Sequence, residues 1–125
     1  MAEFRLTRHF LLSEFDCRNG AKVPPATAGQ VRELARWFLE PLRREFGPVR
    51  IISGYRPPAY NKAVGGAPHS YHVYAQHRQG VAADVHPARG EPHEWAELLE
   101  HLRVPGLGVY TDHVHVDTRA GHARW

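Results

Sequence analysis

The stretch TDHVHVDT, residues 111–118, places two imidazoles and a carboxylate at every second position. In an extended chain residues i, i+2 and i+4 share a face, so His113, His115 and Asp117 point one way and Val114 and Val116 the other. The valines suit a core. A polar row of this composition opposite them is unusual for plain packing and raises the question of what the imidazoles hold.

Working outward, residues 107–110 are also extended and complete either a closing pair of strands or one bent strand with 113–118. GVAADV, residues 80–85, reads as a further strand, with Asp84 near its end after small apolar residues. VRIIS, residues 49–53, reads as a short buried strand. Residues 54–79, rich in Gly, Pro, Tyr and His, read as a long irregular connection of the kind that in compact domains is either functional or disordered.

Two helices frame these strands. Val31, Leu34, Ala35, Phe38, Leu39, Leu42 and Phe46 recur at three- and four-residue steps, one apolar stripe opened by Pro24-Pro25 and Thr27 and closed by Gly47-Pro48. Pro41 falls inside the stripe and is expected to kink or break it near Glu40. Trp95, Leu98, Leu99 and Leu102 mark a second helix over residues 91–102. Ser13 and Glu14 open a short helical turn. The order predicts an α+β single domain, a small antiparallel sheet with flanking helices.

At 125 residues the chain has the size of one domain with its own core. Its formal charge of +3 is spread along the sequence with no Lys/Arg block, so no nucleic-acid partner is expected. The single cysteine, Cys17, excludes an intrachain disulfide and a Cys-rich zinc site. No apolar run is long enough to span a membrane. The opening MAEFRLTRHFLLSEF lacks a signal-peptide core, so the chain is expected to be made in the cytoplasm and either to act there or to reach the cell wall by another route of release.

Ten histidines in so short a chain are conspicuous, and their positions matter more than their number. SGYRPPAYNKAVGGAPHSYH, then GVAAD, then GLGVYTDHVHVDTR together resemble the zinc D-Ala-D-Ala carboxypeptidases of peptidase family M15, whose fold is shared with the hedgehog signalling domain. The opening HFLLSEFDC is similar to the family's N-terminal segment. The resemblance spans roughly residues 9–119 of a zinc peptidase domain taken as 1–125.

The resemblance implies one zinc ion per chain, held by a histidine, Asp84 and His115. Two registers exist for the first histidine. Counting forward from Arg56, the family's Ser-x-His falls on Ser70-Tyr71-His72; counting back from Asp84, it falls on His77. His72 is favoured and His77 is the alternative. Asp112, three residues before His115, matches the catalytic carboxylate; His113 is expected to orient that base or stabilise an oxyanion. Arg56 matches an arginine near the substrate, and Ser70 is a further substrate-binding group. Asp117 is expected either to orient a ligand imidazole from behind or to be an exposed strand residue. Tyr55, Tyr60, Tyr71 and Tyr74 are expected to wall the cleft.

The function implied is hydrolysis of a peptide bond in peptidoglycan stem peptides by a monomer, as a D,D-carboxypeptidase or an endopeptidase of the phage endolysin type acting at the cell wall. The alternative is a non-catalytic zinc-containing module of the same fold that binds the wall or serves structure.

Overall fold

Proline sets where the long helix begins. In the computed structural model, which describes residues 4–74 and 80–125, Pro25–Thr27 form a 3-10 turn that runs into α1 (Ala28–Leu34). A wide π turn (Ala35–Leu39) follows, and α2 (Glu40–Phe46) completes the column. The break expected at Pro41 takes this gentler form. Proline offers no N–H to the carbonyl four residues back. Widening the preceding turn lets the Glu40 N–H reach the Ala35 carbonyl instead, five residues back, and the column continues. Val31, Leu34, Ala35, Leu39 and Leu42 are fully buried along it.

Five strands form the main sheet, in the order β3-β4-β6-β5-β7: β3 (Val49–Ser53), β4 (Ala82–Pro87), β5 (Gly106–Val109), β6 (Val114–Asp117) and β7 (Ala123–Arg124). Their pairing is antiparallel as expected, except that β7 lies parallel to β5. Two residues are too few for a periodic pattern, so β7 left no signal in the sequence. The same holds for the hairpin of β1 (Arg5–Thr7) and β2 (Phe10–Leu11), which seats Leu6 and Phe10 in the core. α3 (Pro58–Ala63) interrupts the long connection after β3. α4 (Pro92–His101) opens with the Glu91 N–H donating to Glu94 Oε1 at 2.9 Å.

Strand alternation divides the sheet into two faces. Ala83, Val85, Leu107, Val114 and Val116 enter the core with Trp95 and Leu99 of α4. The opposite face carries the polar row. Its register is a single rung across four strands, with Ser53 beside Asp84, Asp84 beside His115 and His115 beside Gly108. The next rung sets Ala82 beside Asp117 and Asp117 beside Gly106. Among the described residues no helix is long and apolar enough to cross a membrane.

Candidate metal centre

His72, Asp84 and His115 converge at the floor of a cleft of about 510 Å³. Adjacent strands bring Asp84 and His115 together, and the connection after α3 delivers His72 from above. Asp84 Oδ1 lies 3.1 Å from His115 Nδ1 and 3.3 Å from His72 Nε2. One donor atom from each residue lies within 4.8 Å of the others. Of the two registers for the first histidine, this cluster contains His72; His77 lies outside the described residues.

The partners of the two imidazoles assign their protons. His72 Nδ1 lies 2.7 Å from the Gly54 carbonyl, which can only accept, so this nitrogen carries hydrogen. His115 Nε2 lies 2.7 Å from Asp117 Oδ2 and donates in the same way. In neutral rings the nitrogens facing Asp84 are then bare lone pairs. Three acceptors aimed at one point repel each other unless a cation lies between them. Two imidazole nitrogens and a carboxylate oxygen are a donor set that zinc accepts, with a coordination position left for water or substrate. The residues fit the metal.

The electrostatics agree with this reading. Burial pushes the His72 imidazole below its ordinary value, and Asp84 only partly opposes the shift. Burial would raise the Asp84 carboxyl, yet His115 and His72 hold it well below the carboxylate range. Burial disfavours charge on His115 as well, but Asp117 and Asp84 outweigh it and move its pKa upward. The centre therefore holds an ionised carboxylate and attracts positive charge.

Asp117 is fully buried and stands behind His115 as the alternation of the strand placed it. Burial opposes its charge, but Arg119 and His115 keep the carboxyl far below its ordinary range. Arg119 grips it with Nε at 2.8 Å and Nη2 at 2.7 Å, a bidentate pair. Gly106 makes room: a Cβ there would overlap the Asp117 carboxylate. Sequence reasoning missed Arg119 and Gly106, although a signal existed. Gly106 and Gly108 alternate in step with the large polar groups of the neighbouring strand.

Arg56 reaches the centre from the other side. It donates from Nη2 to Asp84 Oδ2 at 3.4 Å, from Nε to Ser53 Oγ at 3.0 Å and from Nη1 to Asn61 Oδ1 at 3.2 Å. Ser70 lines the cleft, and its Oγ accepts the His72 backbone N–H at 3.1 Å, which ties the expected substrate group to the placement of His72. Of the four tyrosines, only Tyr71 lines the cleft. Tyr55 and Tyr74 belong to the core and Tyr60 packs against it. Tyr74 donates to the Ala82 carbonyl at 2.6 Å.

Asp112 and His113 occupy the strand entrance, outside the residues that line the cleft. The Asp112 carboxylate is 78% exposed and accepts a hydrogen bond from His113 Nδ1 at 2.7 Å. The Tyr110 ring stacks on His113 with centroids 4.5 Å apart. Tyr110 also accepts a bond from Trp125 Nε1 at 2.7 Å. Trp125, unanticipated from sequence, forms a wall of the cleft beside His115, 4.9 Å between ring centroids, and lies over Gly108.

A mixed sheet whose polar face gathers two histidines and an aspartate in a cleft defines a small α+β protein with a site suited to a catalytic metal. The family model described as Peptidase M15 matches residues 8–117, and the chain belongs to that family, whose members are zinc-dependent peptidases. No curated protein matches the chain.

Proposed function

We propose that this chain is a zinc peptidase that hydrolyses a peptide bond in peptidoglycan stem peptides, with His72, Asp84 and His115 as its ligands. The observation that carries the reading is the convergence of three lone-pair atoms on one point at the floor of a cleft. Zinc held there supplies Lewis acidity toward a carbonyl and lowers the pKa of water to about 7. The proposed unit is one chain with one ion.

The remaining work falls to side chains. Arg56 stands beside Asp84 and presents positive charge to the cleft, suited to a substrate carboxylate or to negative charge developing on a carbonyl oxygen. Ser70 offers a hydroxyl on the same wall. Asp112 takes the role of proton acceptor, and His113 orients its carboxylate through the 2.7 Å bond. Asp112 stands outside the lining of the cleft, so this role requires its carboxylate to come within hydrogen-bond reach of the reacting water when substrate binds. Asp112→Asn is therefore expected to lower kcat by about 100-fold or more while leaving zinc content unchanged.

Mass analysis of zinc-loaded protein incubated with purified peptidoglycan tests the reading. Released D-alanine marks a carboxypeptidase, and new amines within cross-links mark an endopeptidase; both must vanish on chelation and return with zinc. The position of Asp112 outside the cleft lining favours one competing reading, a zinc-containing wall-binding module without catalysis. Intact wall in the presence of bound zinc would establish that reading in place of the first.

A further inference from the structure

A second cleft, of about 720 Å³, is lined by Arg8, Arg36, Arg43, Arg44 and Arg89, with Glu40 as its one acid. These arginines come from four separate places: the β1–β2 turn, the π turn, the end of α2 and the segment after β4. None of the five guanidinium groups forms an ion pair among the described residues. Glu40 is occupied elsewhere, accepting from Thr7 Oγ1 at 2.6 Å, the His9 backbone at 2.8 Å and His9 Nδ1 at 2.7 Å. The cleft therefore concentrates more positive charge than the whole chain carries, since its formal net charge is +3.

Arg43 and Arg44 have an ordinary explanation, because cations in the last turn of a helix offset its dipole. That explanation does not extend to Arg8, Arg36 and Arg89, which lie on other segments. The Arg89 guanidinium lies close to the turn that ends α2. Its Nη1 would lie 2.7 Å from a Cβ on Gly47, whose positive φ ends α2.

Guanidinium groups prefer oxyanions that they can grip through two parallel hydrogen bonds, and several around one concavity suit a chain of phosphates better than a single one. A single-stranded nucleic acid also needs aromatic surfaces on which bases stack. The one aromatic ring lining this cleft is the His9 imidazole, which Glu40 holds at 2.7 Å, and Trp37 lies against Arg36 outside the lining residues. We propose that it binds a phosphodiester polymer without nucleobases, a polyol-phosphate chain of the cell wall, and so holds the protein against its substrate. The choice of a wall polymer rests on the peptidase reading above; the preference for a base-free polyanion rests on the cleft alone.

The test is titration of the zinc-loaded full chain with fluorescent poly(glycerol phosphate) between about 50 and 200 mM salt. Arg36→Glu/Arg44→Glu is compared with wild type, and Arg8→Glu/Arg89→Glu provides an independent pair should the first fold poorly. Each pair is expected to weaken binding by about tenfold or more and to flatten the log–log salt slope by about two. Hydrolysis of a short soluble stem peptide should be unchanged in both pairs. Wild-type affinity in both correctly folded variants overturns the proposal. Tighter binding to single-stranded DNA of equal charge also overturns it and makes the cleft a nucleic-acid surface. Salt-dependent polymer binding without any peptide hydrolysis supports the cleft and defeats the peptidase reading alone.

Discussion

The two clefts use charge in opposite ways. At the candidate metal centre each carboxylate has partners within the fold: Arg56 faces Asp84, Arg119 clamps Asp117, and Asp117 accepts from His115. In the arginine cleft five cations stand together, and the only acid is turned toward the hairpin. Buried charge must be compensated where it stands, because desolvation is costly. Exposed charge can wait for a partner from solution. The first arrangement fixes geometry for a small ion, and the second offers attraction to something long and anionic.

The sharpest way to break the contrast is at the metal floor. Asp84→Ala removes the anion that both imidazoles face and leaves Arg56 without its carboxylate. Zinc should no longer survive dialysis, as read by elemental analysis, and hydrolysis should fall to background. Retention of one equivalent of zinc would mean that the ligands lie elsewhere.

Asp117→Asn probes the compensation one step back. It preserves shape but removes the charge that fixes the His115 tautomer and pairs with Arg119. Zinc affinity should drop by about 10- to 100-fold in competition with a chromophoric chelator. Gly106→Ala attacks the same carboxylate sterically, since a methyl group there overlaps it. Destabilisation of about 1–3 kcal/mol in denaturant unfolding is expected, accompanied by weaker zinc binding. Unchanged stability would show that the strand can shift without disturbing Asp117.

The smallest effect belongs to the arginine cleft. Burial works against the Glu40 charge, but its bonds to Thr7 and His9 prevail and hold the carboxyl below its ordinary value. The resulting stabilisation is complete above the ordinary glutamate pKa of about 4.3 and drains away as pH falls through the lower folded value. Glu40→Gln should thus cost about 1 kcal/mol at neutral pH. Thermal unfolding curves of variant and wild type should converge in acid; a gap that persists there would assign the effect to packing.

Much of the site was legible because strand alternation is a local property. TDHVHVDT already placed the valines inward and His115 and Asp117 on one face, and β6 (Val114–Asp117) follows that pattern. The α1–α2 stripe and the strand over residues 49–53 were readable for the same reason, since a period is written along the chain. The resemblance to the M15 family supplied Asp84 and either His72 or His77 as partners for His115, and His72, Asp84 and His115 meet in space. Short pieces such as α3, β7 and the β1–β2 hairpin escaped because none is long enough to display a period.

What only the tertiary structure decided was which distant residues share a point. Arg119 beneath Asp117, Gly106 giving way to a carboxylate, Trp125 over Gly108 and the removal of Tyr55 and Tyr74 into the core all depend on register and packing between segments. The arginines show this most plainly. Along the sequence they form no block, yet the hairpin, the helical column and the segment after β4 bring five of them to one cleft. Sequence fixes the order of charges, but electrostatic potential depends on their distances in space, and those exist only once the chain has folded.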